Sequence, residues 1–361
     1  MRLAEPTHHS LNPLATRGTP LPPNVLLAAK LVTLVFLLLG SWRLTAPYLP
    51  FIGILDDLVS PRVFQHTLQA VWLLAALSLF MNRFVRLSCG VLGVVILIAM
   101  LSSHAYRSNN TMFTGLLLFL IGMSDRETAS LLIRSQLVVL YFWAGLNKLL
   151  DPDWRSGAFF ETWNSIQGWG ELYRGVASLL PSMVFSALLS WGVIATELFL
   201  AVAFAIRRLV IAGILVAVVY HSSILFVTGD TFTMFWYAVL AACIALLEWP
   251  ANPPSVHYRG DGPLGRITVL LHKLDLAGAF TWERNERSGL RVVIGERVYN
   301  GRDALARVLL YNPMVYFTFF TLVALSEPDR RWAALIVFGT VGYAVIDLVK
   351  GRFVTRLEVG T

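Results

Sequence analysis

Apolar runs recur along the whole chain, and charge is confined mostly to the gaps between them. Several runs approach the roughly 20 residues that a helix needs to cross a bilayer core. A soluble domain carries about one quarter charged residues, whereas this chain is 14% charged and 56% hydrophobic. The pattern predicts a mostly α, polytopic transmembrane helix bundle with one small soluble insert. A formal net charge of +7 does not point to nucleic acid, because the basic residues lie mostly between spans, where they orient a membrane protein. Cys89 and Cys243 sit far apart inside apolar runs and read as core thiols, not a disulfide.

Spans are expected near residues 25–45, 66–82, 86–103, 112–123, 130–149, 183–206, 209–228, 232–249, 313–326 and 332–349, about nine or ten in all, with the fourth short. The proline-bounded stretch "PYLPFIGILDDLVSPRVF" is expected to lie along the membrane interface. Residues 1–24 show no signal peptide and read as a flexible, disordered cytoplasmic tail. An N-terminus in the cytoplasm puts Arg83, Arg86, Arg126, Arg207, Arg208, residues 250–312 and the basic tail with Lys350, Arg352 and Arg356 inside. Asp56, Asp57, Asp151, Asp153 and Asp230 then fall outside, and Arg330 and Arg331 run against the charge bias. The expected order is a tail (1–24), a transmembrane domain (25–250), an α/β module (251–311) and a C-terminal transmembrane hairpin with its basic tail (312–361).

The insert has a different texture. "VHYRG" alternates like a strand, "RITVLLHKLDL" has helical spacing, and "GLRVVIGERVYNG" reads as a hairpin turning at Gly295-Glu296. "RDALARVLLY" reads as a second helix, with Asp303 near its positive end.

In "YFWAGLNKLLDPDW", Lys148 closes an apolar run, and Tyr141, Gly145 and Lys148 share one helical face at spacings of four and three. Glycine there admits a close neighbour. Two readings stand. The lysine snorkels, its stem in lipid and its ammonium in water, or it is a desolvated amine able to act as a general base. Asn109 and Asn110, His221 and Glu197 are expected in the same outer half. Each has an ordinary structural reading, as helix cap, core histidine or interhelical contact. Together they would line one outward-facing polar cavity.

These residues carry a family resemblance. "LYFWAGLNKLLDPDWRSG", "SNNTMFTGLLLF" and "YHSSILFVTGDTFTMFWYAVL", with Glu197 in the preceding span, resemble the vitamin K-dependent γ-carboxylase superfamily. Within it the chain is most similar to the bacterial HTTM (horizontally transferred transmembrane) domain proteins. The resemblance implies a bacterial cytoplasmic (inner) membrane protein that modifies or matures a peptide or lipid-soluble substrate, with a reduced quinone as cofactor. It gives Lys148 the role of base, with Asn110, Glu197 and His221 around it, and Asn109, Tyr141, Gly145 and Trp154 as cofactor-binding residues. In the carboxylases the base deprotonates the reduced quinone, which reacts with oxygen to yield a stronger base. That base removes a proton from a glutamate side chain, and the carbanion adds to carbon dioxide. Here Asn110 stands where those enzymes have histidine, and their large extracytoplasmic domain is missing.

The insert, in turn, resembles the DCC group of thiol-disulfide oxidoreductases, which implies a thioredoxin-like fold. In "VHYRGDGPLGRITVLLHKLDLAGAF", Gly262 and Gly265 take the two cysteine positions, so thiol exchange is excluded. A docking or stabilising role on the cytoplasmic face is expected instead. The alternative to an enzyme is a non-catalytic membrane scaffold or accessory subunit that binds a partner membrane protein. A transporter is a weaker idea, because neither an inverted repeat nor paired broken helices are visible.

Overall fold

The computed structural model describes residues 12–44, 60–103, 106, 108–166, 170–228, 233–285, 289–326 and 330–349. The expected interfacial stretch up to residue 59, including Asp56 and Asp57, lies outside the described residues, as do Asp230, Lys350, Arg352 and Arg356. The helices before the insert are α1 (Pro23–Leu38), α2 (Pro61–Phe80), α3 (Val85–Ser102), α4 (Asn109–Met123), α5 (Ala129–Leu150), α6 (Pro152–Ser156), α7 (Ala158–Ile166), α8 (Gly170–Ala177), α9 (Val184–Ala205), α10 (Val210–Thr228) and α11 (Thr233–Leu246). The insert runs β1 (Ser255–Tyr258), α12 (Gly262–Lys273), β2 (Thr281–Arg284), β3 (Arg291–Ile294), β4 (Arg297–Asn300) and α13 (Gly301–Tyr311), and is followed by α14 (Pro313–Leu325) and α15 (Arg331–Val349).

Among the described residues, five helices are long and apolar enough to cross a membrane: α2, α3, α5, α9 and the segment Arg207–Val227 that includes all of α10 but its last residue. A sixth arises if α13 and α14 count as one span bent by 63°. Helices α1, α4, α11 and the Arg331–Gly342 part of α15 are apolar but shorter. Of the nine or ten spans expected, five or six are thus long and apolar enough to cross among the described residues, and the others are shorter apolar helices. Local chemistry explains part of the shortfall. The span expected over 25–45 stops at Leu38, because Gly40 turns the chain at φ 70° and Ser41–Arg43 tighten into a 3₁₀ turn. The 63° bend falls at Asn312-Pro313, where proline supplies no N–H and restricts the residue before it.

The chain divides into two compact units, residues 1–133 with 241–325, and residues 134–240 with 326–361. In the first, α3 and α4 pack almost backbone to backbone. A Cβ at Gly93 would lie 2.4 Å from the Phe119 amide nitrogen, and one at Gly122 would lie 2.3 Å from that of Gly90. Small residues permit this approach in helices whose lipid-facing sides give no hydrophobic drive to associate.

Residues 1–11 of the expected tail lie outside the described residues, and residues 12–22 are not free. They form a strap tied down at several points of the same unit. Arg17 donates to the carbonyls of Pro250 and Ala251, Asn12 to that of Leu276, and Asn82 to that of Asn12. Arg126 donates to the Thr19 carbonyl, while Ala15, Thr16 and Leu21 are buried. The strap's inner anchor is Lys30 of α1. Its fully buried ammonium donates to Pro13 O at 2.8 Å and Ala15 O at 2.7 Å. Lys30→Ala strands both carbonyls and opens a cavity, so it is expected to cost about 2–4 kcal/mol. Limited trypsin digestion should then cut at Arg17, a site the strap protects in the parent protein.

The insert folds on a mixed four-stranded sheet of order β2-β1-β3-β4, with β2 parallel to β1, and β3 and β4 antiparallel to their neighbours. Strand β2 is an addition to the expected elements. Val256, Leu271, Phe280, Val292, Ala304 and Val308 are among the residues of its core. At Gly265, one of the two positions matched to cysteine, a Cβ would lie 2.4 Å from the Arg259 carbonyl oxygen. Helix α12 is therefore seated on the end of β1 in a way that only glycine permits there.

Candidate functional site

The second unit holds the lysine. Tyr141, Gly145 and Lys148 line one face of α5, as their spacing requires. Opposite, α9 presents a buried face made of Ser186, Ser190, Ile194, Glu197, Ala201 and Phe204. Gly145 sets how closely these faces approach. A Cβ there would lie 2.9 Å from Leu198 Cδ2 and 3.3 Å from the Leu198 amide nitrogen. Gly145→Ala asks the Leu198 side chain to move and the α9 backbone to give by a few tenths of an ångström. Gly145→Leu must push α9 away and is expected to cost about 1–3 kcal/mol, read as a lowered thermal midpoint in detergent.

That contact brings Lys148 to Glu197, the residue before Leu198. The Lys148 ammonium donates to both carboxylate oxygens, at 2.9 Å to Oε1 and 2.8 Å to Oε2. Its side chain is 21% exposed and that of Glu197 only 8%. The ammonium also lies 5.0 Å from the ring centre of Trp154, within range of a cation–π contact. The lysine is therefore neither a solvated anchor nor a free amine. It is the donor of a partly buried ion pair backed by an indole.

The two aspartates after the lysine have a different task. Asp151 caps α6 by accepting from the Asp153 backbone N–H, and both side chains are exposed. The turn they shape aims Trp154 back at Lys148 and stacks it on Phe159, 4.1 Å between ring centres. Gly157 closes the turn at φ 86°, where a Cβ would lie 2.5 Å from the Ala187 amide nitrogen of α9.

Helix α10 contributes two adjacent residues. The Tyr220 hydroxyl donates to Glu197 Oε1 at 3.2 Å. His221 turns about 100° away and shares a 2.8 Å hydrogen bond between its Nε2 and the Tyr141 hydroxyl. His221 and Tyr141 are both buried, and Tyr141 stacks on Phe204. The rings of Tyr220 and His221 meet edge to face at 4.9 Å. One hydrogen-bonded group, Lys148–Glu197–Tyr220, thus adjoins a second, Tyr141–His221. Tyr220 also walls an open apolar groove of about 370 Å³, lined with Thr196, Leu215, Val216, Val219, Val341 and Val345.

Of the residues singled out in the sequence, Lys148, Glu197 and Trp154 come together, Tyr141 and His221 pair, and Gly145 makes room for Leu198, next to Glu197. Asn109 and Asn110 belong to the first unit, in the first turn of α4. They do not cap it. Ser108 does, its Oγ accepting from the Thr111 N–H. Tyr220 was not anticipated; the dipeptide Tyr220-His221 inside an apolar run was the available signal.

Residues 127–249 match the HTTM domain family.

The matched segment begins just before α5 and ends just after α11, so it contains Tyr141, Gly145, Lys148, Trp154, Glu197, Tyr220 and His221. It covers the second half of the 25–250 stretch in which the resemblance was expected, and Asn109 and Asn110 precede it. No curated protein and no solved structure matches the chain. The HTTM match and the long apolar helices make this a multi-pass integral membrane protein. Among the described residues, no group of three or more histidine, cysteine, aspartate or glutamate side chains is placed to hold a metal ion.

Proposed function

We propose that the HTTM-matching segment is a membrane enzyme site, carboxylase-like in its use of Lys148 as base, that modifies or matures a peptide or lipid-soluble substrate. The observation that carries this reading is the Lys148–Glu197 pair. An ammonium bridging a carboxylate is not yet a base. Moving one proton from Lys148 to Glu197 leaves a neutral amine beside a neutral acid, an exchange that a poorly solvated setting favours. The free amine then takes up a proton from an acidic O–H of the substrate, which departs as the anion. Tyr220 steadies the Glu197 oxygen through both states, and Tyr141 orients His221.

The apolar groove beside Tyr220 suits a reduced quinone, because a flat ring and an isoprenoid tail need apolar walls with a polar group at one end. Such a cofactor would supply the acidic O–H and the electrons for reaction with oxygen. Lys148 is not among the groove's lining residues, so the proton would reach it through Tyr220, which lines the groove and bonds Glu197, while Thr196 and Tyr220 would bound the ring. Asn110 and Asn109 join this reading through the family resemblance alone.

The remaining roles follow the sequence. The strand order and directions of the insert support a thioredoxin-like fold without its thiols, serving to dock or stabilise. The family resemblance implies a bacterial inner-membrane location, and charge between the spans supports an orientation with the N-terminus and residues 250–312 in the cytoplasm. One observation favours a second reading, a scaffold that binds a partner membrane protein. Both Glu197 oxygens are already taken by Lys148, which also describes a clasp between two helices.

The test is comparative mass spectrometry of peptides and extractable lipids from cells making the wild-type protein or Lys148→Ala at equal membrane levels. The enzyme reading expects a mass-shifted product with the wild type and its loss with the variant. Identical profiles would support the clasp.

A further inference from the structure

Helix α12 leaves an apolar face uncovered. Gly265, Thr268 and Leu271 face the insert's core. Leu264, Ile267, Leu270 and Leu274 follow one another at spacings of three, three and four on a different face, and with Leu276 they are 36–56% exposed. Arg266 and Lys273, seven residues apart, border this stripe on its polar side, and α12 contains no acidic residue. A stripe of bulky apolar side chains edged by basic ones is the pattern of a helix lying in a membrane interface.

The connections of the insert keep it near the bilayer. Apolar α11 ends at Leu246 and β1 starts at Ser255, a linker that spans at most about 30 Å. At the other end, Asn312 alone separates α13 from apolar α14. The strap adds a third tether, since Asn12 bonds the Leu276 carbonyl just beyond α12.

We propose that α12 docks on the membrane surface, with Leu264, Ile267, Leu270 and Leu274 in the acyl boundary and Arg266 and Lys273 at anionic phospholipid headgroups. The occupant of the stripe is lipid. The charge argues for it, because two cations without a neighbouring acid on the helix complement anionic headgroups.

The experiment uses the full chain in nanodiscs of phosphatidylcholine and phosphatidylglycerol, with the buried Cys89 and Cys243 replaced by alanine. An environment-sensitive fluorophore is placed at Leu270→Cys or, as control, at Glu296→Cys in the β3–β4 turn. The proposal expects doxyl-labelled lipid to quench the first label several-fold more than the second, and aqueous iodide to quench it less. Arg266→Glu with Lys273→Glu should weaken the docking equilibrium by roughly an order of magnitude or more in these discs, with an unchanged size-exclusion profile. A Leu270 label open to iodide and untouched by lipid overturns the proposal. So does one shielded from both, which would mean that a second copy or another protein covers the stripe. Lipid quenching unaffected by the double charge reversal overturns the headgroup assignment.

Discussion

Lys148→Met is expected to destabilise the protein by about 3–5 kcal/mol, the cost of leaving a buried charge without its partner, and Glu197→Gln by only about 1–2 kcal/mol. The asymmetry follows from where the partners sit. Glu197 lies on the buried face of α9 with its side chain 8% exposed. When the ammonium is removed, the Tyr220 hydroxyl alone among the described residues still donates to its carboxylate. Lys148 is in the last turn of α5 and 21% exposed, so its long stem can turn the ammonium toward water when the carboxylate goes. An amide at 197 also keeps an acceptor for Tyr220. Removing both charges, with Lys148→Met and Glu197→Leu together, should recover most of the loss, because no unpaired ion remains. Thermal unfolding in detergent, followed by tryptophan fluorescence, checks all three variants. Equal and small losses in the two single variants would mean that solvent or detergent screens the pair.

Much of this arrangement was legible in the residue order. Helical spacing put Tyr141, Gly145 and Lys148 on one face, and a glycine between a tyrosine and a lysine marked the place where another helix comes close. The sequence could not choose between a solvated and a buried lysine, since that depends on Glu197, which lies 49 residues away in the chain. The Tyr141–His221 bond spans 80 residues and was illegible for the same reason. Tyr220 escaped notice because a tyrosine in an aromatic-rich apolar run reads as packing until its hydroxyl is traced to a carboxylate. The strap was missed for a different reason. Its proline-bearing, polar composition is that of a loose tail, and what holds it is largely backbone carbonyls accepting from Lys30, Asn82 and Arg126, which composition does not record. Strand β2 is four residues long with mostly exposed side chains, so it offers little alternation to read. Apolar length alone does not show where a run is interrupted, as at the Gly40 turn after α1 and the bend at Asn312-Pro313.

The central claim is that Lys148 gives up and takes back a proton. Loss of product in Lys148→Ala at equal membrane levels shows that the residue is needed, but methionine and alanine both strand Glu197 and so do not separate a lost base from a lost ion pair. Arginine separates the two. A guanidinium can bridge the same two carboxylate oxygens and lie over the Trp154 ring, so the fold should persist. It stays protonated in any protein setting, so it cannot serve as a base, and loss of a positioned base typically costs about 10²–10⁴-fold in rate. The most direct measurement is therefore the yield of the mass-shifted product from membranes containing Lys148→Arg, alongside its thermal midpoint. The account predicts a midpoint close to that of the wild type and product reduced at least 100-fold. Product at the wild-type level, made by a protein whose residue 148 can never be neutral, would contradict it.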